Sequence, residues 1–397
     1  MKIVQINSVP NGSTGSIMMN IHRELSNQGH ESYVVWGRGR NAENDHEIYM
    51  NDKLGVYLHV LYSRLTGKHG FASKRATRKL LKRLDEIKPD IIHLHNIHGY
   101  YINIELLFNY LKKNNIKVVW TLHDCWSFTG HCSYFDMVKC EKWKTGCKNC
   151  PQKQSYPKSL IDNSKWCYKK KKEIFNDANV TLVTPSKWLA KLVKLSYLKD
   201  YDVKVINNGI NTEIFKPTPS NFREKYNLQD KTIILGVANV WEERKGLNDF
   251  IELSKILDDN FKIVLVGLNE KQLKEIPNNI LGLTRTNGPK ELAEIYTASD
   301  IFFNPTYEDN YPTVNIEAIS CGTPVVTYNT GGSPEYKELL KNSFDNYITE
   351  KGKVNKDYLT NIINVSNIKV NVEDIEIKTM VNNYLKNYFN NESNLGE

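Results

Sequence analysis

Three carboxylates stand close together in "PTYEDNYPTVNIEAISCGTPVV", residues 305–326. Glu308 and Asp309 precede a turn-like Asn310-Tyr311-Pro312, and Glu317 interrupts an apolar run of Val314, Ile316, Ala318 and Ile319. A carboxylate near a core costs free energy unless something uses it. Asp309 or Asn310 can cap a helix whose first turn accepts Pro312, and Gly322 and Pro324 stop it. Thr313 then lies four residues before Glu317 on the same face. The amide end of such a helix suits a phosphate, and a carboxylate just behind it can accept bonds from ribose hydroxyls. The same pattern also fits a Glu317 that simply faces solvent.

Other residue types point the same way. Arg244 and Lys245, in "VWEERKG" after a strand-like run, can neutralise a diphosphate or form a solvated charge cluster. His93 and His95 share one face of a strand by period two, and His123 closes the strand-like "KVVWTL". The carboxyl ends of strands are the functional edge of parallel sheets, which favours His123 as a site residue. "NGSTGS" (11–16), with Gly12 and Gly15, allows close backbone approach or a plain tight turn; it lacks the third glycine of the dinucleotide fingerprint. The segment 123–151 holds five of the seven cysteines. Cys147 and Cys150 form a C-x2-C pair, and Cys132 and Cys140 could complete a structural zinc site, although their spacing also suits reduced, unligated thiols. Cys321 reads as a core residue.

These side chains need a scaffold. Short β-branched runs (2–6, 32–36, 90–95, 117–122, 180–185, then 233–238, 262–267, 300–305 and 323–328) alternate with helical spacing, as in 18–28 and 76–87. That alternation predicts an α/β protein with two doubly wound parallel sheets facing a central cleft. The expected division is an N-terminal Rossmann-like domain over 1–204, a linker over 205–219, a C-terminal Rossmann-like domain over 220–370, and a closing helix and tail over 371–397.

Residues 1–200 hold 32 Lys/Arg against 17 Asp/Glu, whereas 201–397 hold 21 against 28. A basic half suggests an anionic partner: a membrane surface, a phosphorylated acceptor or nucleic acid. "SKRATRKLLKRLDEI" (73–87) sets an apolar stripe of Ala76, Leu80, Leu84 and Ile87 among cations, which suits a helix lying on anionic lipid or one packed on a core. No run of 18 apolar residues occurs, and "MKIVQINSVP" lacks a signal-peptide core, so a cytoplasmic location is expected, with peripheral contact at the inner face of the membrane.

Taken together, "PDIIHLHN", "TLHD", "TPSKWL", "INNGINTEIFKP", "RKG" and "YEDNYPTVNIEAISCGTPVVTYNTGGSPE" resemble glycosyltransferase family 4 (group 1), retaining enzymes of GT-B fold. The similarity is greatest to bacterial members that build capsular and other surface polysaccharides. The family's paired acids, eight residues apart, fall on Asp309 and Glu317, with Glu308 one position out of register. Its lysine falls on Lys245, and its usual arginine five residues earlier is Val240, so that Arg244 is the candidate substitute. The resemblance implies donor contacts from Gly12, Gly15, Arg244, Lys245, Asp309, Asn310, Tyr311, Thr313, Glu317, Gly331 and Gly332. It also implies catalytic roles for His123, Lys245 and Asp309, and an acceptor side near His93, His95 and Asn96. The implied reaction is a metal-independent, retaining transfer from a nucleotide-sugar (UDP first, GDP second) to a hydroxyl of a lipid-linked glycan. The alternatives are another nucleotide-sugar enzyme such as an epimerase, or a basic nucleic-acid-binding protein; the scattered cations and the lack of a recognised motif speak against the latter.

Overall fold

The structure is a computed structural model that describes residues 1–50, 52–340, 347–365 and 370–389. It divides into two compact units, Met1–Asn207 with Met380–Glu397, and Asn208–Thr379. Each is a parallel sheet wrapped by helices. The last eight residues of the expected tail, 390–397, lie outside the described residues.

In the first unit the chain runs β1 (Lys2–Asn7), α1 (Gly12–Asn27), β2 (Glu31–Trp36), β3 (Glu47–Tyr49), α2 (Lys53–Thr66), α3 (Lys74–Ile87), β4 (Ile91–Leu94), α4 (Ile104–Lys113), β5 (Lys117–Thr121), α5 (Ser164–Phe175), β6 (Val180–Thr184), α6 (Lys187–Lys194) and β7 (Val203–Val205). The strands pair in the order β3-β2-β1-β4-β5-β6-β7, all parallel. Continuous Val and Ile runs in β1, β4 and β5 are buried on both faces, which a parallel sheet covered by helices requires.

The second unit contains α7 (Phe222–Lys225), β8 (Thr232–Val237), α8 (Leu247–Ser254), β9 (Phe261–Val266), α9 (Glu270–Glu275), β10 (Ile280–Leu283), α10 (Pro289–Thr297), β11 (Ile301–Asn304), α11 (Thr313–Ser320), β12 (Val325–Tyr328), β13 (Ile348–Thr349), α12 (Lys356–Val365) and α13 (Val372–Ile375). Its sheet order is β10-β9-β8-β11-β12-β13. Residues 208–219 pack with this unit: Ile210 bridges to Glu376, and Phe215 joins the core.

Two expectations change in detail. The closing helix is broken, because Glu376 is extended where it pairs with Ile210, so that α13 and α14 (Ile377–Phe389) are separate. The stripe of α3 faces the core: Ala76, Leu80, Leu84 and Ile87 are buried, and the alternative of a lipid-facing stripe on this helix falls away.

α14 docks on the first unit through hydroxyls rather than apolar contact alone. The Lys117 ammonium donates to the Tyr388 carbonyl (2.5 Å), Tyr388 Oη bonds His93 Nδ1 (2.7 Å), and Tyr384 Oη bonds Thr121 Oγ1 (2.9 Å), all in buried or half-buried surroundings. Tyr388→Phe keeps the ring and strands one buried imidazole nitrogen. It should lower stability by about 1–3 kcal/mol in denaturant titration; an unchanged midpoint would show that water replaces the phenol.

Candidate active site

In the second sheet the strand order reverses between β8 and β11, so the loops that follow these strands diverge there and leave the crevice in which such sheets bind ligands. The loop after β8 ends in a single 3-10 turn, Glu243–Lys245, and the loop after β11 carries residues 305–312. Lys245 Nζ meets Asp309 Oδ2 at 2.5 Å, an ion pair with both side chains largely shielded. Asp309 is therefore the acid beside the lysine, and Glu308 is buried.

Arg244 holds backbone in this loop. Its Nη1 donates to the Glu308 carbonyl at 3.0 Å and its Nε to the Glu242 carboxylate at 3.0 Å, while its own carbonyl accepts from the Tyr307 amide. Val240, where the family arginine was expected, is exposed. Tyr307 and Tyr328 both donate to the Asp249 carboxylate in the first turn of α8, which ties the loops after β8, β11 and β12 into one rim.

Two glycines make this closeness possible. A side chain on Gly246 would stand 2.3 Å from the Pro305 carbonyl oxygen, and one on Gly331 would stand 2.1 Å from that of Asp309, both at positive φ. Gly332 N–H also donates to the Asp309 carbonyl at 3.1 Å. Below the rim, Asn315 bonds Asn304 and Ser333, and Ser333 bonds Thr327. The Gly331–Gly332 turn is thus pressed onto the residue that pairs with Lys245.

α11 is capped two residues after Asn310 and three after Asp309, the two expected caps. Pro312 occupies the N-cap and Thr313 is the first helical residue; neither Asp309 nor Asn310 caps the helix. Asp309 Oδ1 instead accepts from the Asn310 amide at 2.9 Å, which turns its carboxylate back toward Lys245. Asn310 and Tyr311 are buried, and the Tyr311 carbonyl accepts from Asn208.

Glu317, the fifth residue of α11, is half-buried, so the solvent-facing alternative does not hold. Tyr296 Oη donates to its Oε2 at 3.2 Å. Burial pushes the Glu317 carboxyl up to about 7, with the hydroxyls of Tyr296 and Thr313 acting in the opposite direction.

In the first unit the order reverses between β1 and β4, and α1 starts directly at Gly12. Gly15 lies in its first turns, where a side chain would meet the Pro10 carbonyl carbon at 2.5 Å. The Asn96 amide donates to Asn7 Oδ1, joining the ends of β1 and β4. His93 and His95 are fully buried, with their rings stacked at 4.2 Å. His93 bonds Tyr388 and Thr121; His95 bonds Gln5 Oε1 at 3.2 Å and His123 Nε2 at 3.0 Å. Such interior rings present no face to an acceptor, which corrects their expected acceptor-side placement.

Burial lowers His123 to about 4 and His93 to about 3, and it holds His95 well below the usual histidine range. Each neutral ring then has one donor and one acceptor nitrogen, so the proton positions on His95 and His123 are linked along this chain of bonds.

Three neighbours were missed from sequence. His98 Nε2 pairs with Asp124 Oδ2 at 2.9 Å, and His98 Nδ1 bonds Tyr156 Oη at 3.0 Å. Burial pushes Asp124 up, but His98 and the Trp126 amide outweigh it and hold the carboxyl below its usual range. Asp124 adjoins His123, and His98 stands three residues past His95 beyond the strand end, but no local pattern pairs the two.

Cys132, Cys140, Cys147 and Cys150 line one small pocket, and Cys132 and Cys150 are hydrogen-bonded to each other. The Gly130 amide donates to Cys147 Sγ at 3.2 Å. Among the described residues no three of His, Cys, Asp or Glu are grouped so as to hold a metal ion. Lys171, fully buried, fastens the insertion by donating to the carbonyls of Trp126 (2.6 Å) and Thr129 (3.0 Å). Cys125, Cys167 and Cys321 are buried.

The sequence profile of Glycosyltransferase Family 4 matches residues 14–214, and that of Glycosyl transferases group 1 matches 219–364. The chain is 25% identical over 370 residues to the "Putative colanic acid biosynthesis glycosyl transferase WcaC" of Escherichia coli K12, covering 88% of each chain. Among solved structures it superposes on Anabaena Alr3699/HepE in complex with UDP-glucose (TM-score 0.59, 16% identity, 98% of this chain and 95% of that one). It also superposes on WaaG, a glycosyltransferase involved in lipopolysaccharide biosynthesis (TM-score 0.59, 14% identity, 98% and 96%).

The raised Glu317 carboxyl has a measurable signature. The folded chain keeps this proton to about pH 7, whereas an unfolded glutamate releases it near 4.5. Glu317 therefore contributes a loss of stability as pH rises from about 4.5 to about 7. The stability difference between Glu317→Gln and the parent should grow over that window by on the order of 2 kcal/mol. Parallel pH profiles of the two proteins would show an ordinary carboxyl.

Proposed function

Since the chain belongs to glycosyltransferase family 4, group 1, and is a glycosyltransferase of GT-B fold, we propose that it moves a sugar from a nucleotide-sugar to a glycan hydroxyl in bacterial surface polysaccharide biosynthesis. The observation that carries this reading is the Lys245–Asp309 pair at the reversal point of the second sheet, with the Gly331–Gly332 turn folded against it. In this reading the donor's diphosphate displaces Asp309 as the partner of Lys245, and the released carboxylate accepts a sugar hydroxyl. Glu317, which needs a hydrogen-bond donor to keep its charge in a half-buried place, takes the ribose hydroxyls. Arg244 positions the loop through the Glu308 carbonyl. His123 is taken, on the family resemblance, as the histidine that contacts the donor sugar.

We further propose a UDP-sugar donor, supported by the UDP-glucose complex of the similar Alr3699/HepE. Transfer proceeds with retention and without a divalent metal: Lys245 and the amide end of α11 stabilise the departing nucleotide diphosphate, and the acceptor oxygen attacks from the same face. The acceptor is a lipid-linked glycan reached from the cytoplasmic side, where the basic first half meets anionic lipid. Among the described residues no helix is long and apolar enough to cross a membrane.

Titration calorimetry with UDP, GDP, ADP and CMP tests the donor. UDP should bind in the micromolar range, and Lys245→Ala should weaken it by about ten- to a hundredfold, the loss of one charge-assisted contact. Binding of none of the four, or equal affinity in the variant, would remove the reading.

Cys132, Cys140, Cys147 and Cys150 line one pocket without being grouped as ligands, and we propose that zinc draws their thiolates together into a staple that holds the 132–150 segment. It would act on stability alone. Elemental analysis of protein purified without chelator should find about one zinc per chain, lost in Cys147→Ser; metal-free protein of full stability would show that reduced thiols suffice.

A further inference from the structure

Helix α2 is not amphipathic in the usual sense. Its inward side mixes polar and apolar groups: His59 and Ser63 are buried, Val56 and Tyr62 pack on the core, and His59 Nδ1 bonds Ser73 Oγ at 2.8 Å. Its outward face is apolar. Leu54, Tyr57, Leu58, Leu61 and Leu65 recur at the spacing of one helical face and are 49–74% exposed.

The stripe continues beyond the helix. The Leu160 amide bonds the Arg64 carbonyl at 2.8 Å, and Asn163 Nδ2 bonds the Thr66 carbonyl at 2.6 Å, which seats the exposed Leu160 and Ile161 beside the end of α2. Trp166 follows, its ring covered by the Lys68 ammonium at 4.5 Å. Eight of the 18 large apolar side chains exposed among the described residues thus fall on this one strip, far from the scattered singles of an ordinary surface.

Charge decides what covers it. Residues 53–84 hold nine Lys/Arg and no Asp/Glu. On α3, Arg75, Arg78, Lys79, Lys82 and Arg83 are exposed while the apolar stripe beneath them is buried. Two copies of so basic a face would repel each other. An anionic bilayer would attract it, take leucines into its acyl boundary, and accept Tyr57 and Trp166 at the headgroup level.

We propose that α2, with Leu160 and Ile161, is the element by which this chain lies on anionic lipid, its axis in the plane of the interface. The proposal deepens the membrane-side reading given above by naming the docking surface, and none of its residues is among those assigned to the donor site.

Flotation of the full chain with phosphatidylglycerol-containing vesicles, and with pure phosphatidylcholine vesicles as the comparison, tests it. The parent should bind the anionic vesicles and be largely released by high salt. Leu58→Asp combined with Leu61→Asp, both at exposed positions, should lower binding about tenfold or more, and Arg78→Glu with Lys79→Glu should lower it on anionic vesicles only. UDP titration of each variant is the control: intact nucleotide binding with lost flotation supports the surface, whereas absent nucleotide binding with intact flotation counts against the donor reading alone. No flotation of the parent at low salt, or equal flotation of the leucine variant, would overturn the proposal. So would a parent dimer that the leucine variant dissolves without any vesicle binding, since the face would then join two copies.

Discussion

Parallel pairing constrains everything else in this molecule. A parallel strand returns to its sheet only through a crossover, so helices cover both faces of each sheet and the strands between them become mostly apolar. Charged and hydrogen-bonding side chains are left with the strand ends and the loops. In the second unit the neighbours β8 and β11 send their chains in opposite directions, and Lys245 and Asp309 meet where those loops part. The pair is therefore a product of topology as much as of sequence. The glycines at 246 and 331 are the local conditions under which two carbonyl-bearing loops can come so close.

The first unit handles the same constraint differently. Its strand ends carry imidazoles that burial keeps uncharged, and hydroxyl and amide partners give each one a fixed orientation. One unit thus holds a pre-paired charge in its loops, and the other holds neutral imidazoles that are buried and fixed by their partners.

Much of this was legible from residue order. Alternating runs of Val and Ile located nine of the strands within about two residues, and the spacing of Asp309 and Glu317 pointed to the acids that flank α11. The short edge strands β3, β7, β10 and β13 were not foreseen, because two to four residues at an edge carry no periodicity and are held by neighbours. Glu317 was undecided because a helix of eight residues does not reveal which side is covered; only Tyr296, twenty-one residues away, does so. The two amphipathic helices show the deeper limit. The pattern of α3 identified an apolar stripe correctly and could not say that the sheet occupies it. α2, with apolar residues on more than one side, gave no contrast to read until burial showed which leucines were left outside. His98 and Asp124 were passed over because their pairing depends on two loops whose meeting no local pattern encodes.

The second unit is one uninterrupted stretch, Asn208–Thr379, set into a first unit whose last helix comes from the far end of the chain. Tyr384 and Tyr388 complete the buried hydroxyl–imidazole network around His93 and Thr121. During synthesis, then, the seven strands of the first sheet are made before the second unit, and the helix that packs on them is made after it. The second unit has all of its strands while the first still lacks the partners of two buried polar groups. Thr121 and His93 thus meet these two partners only after the whole of the second unit has been made.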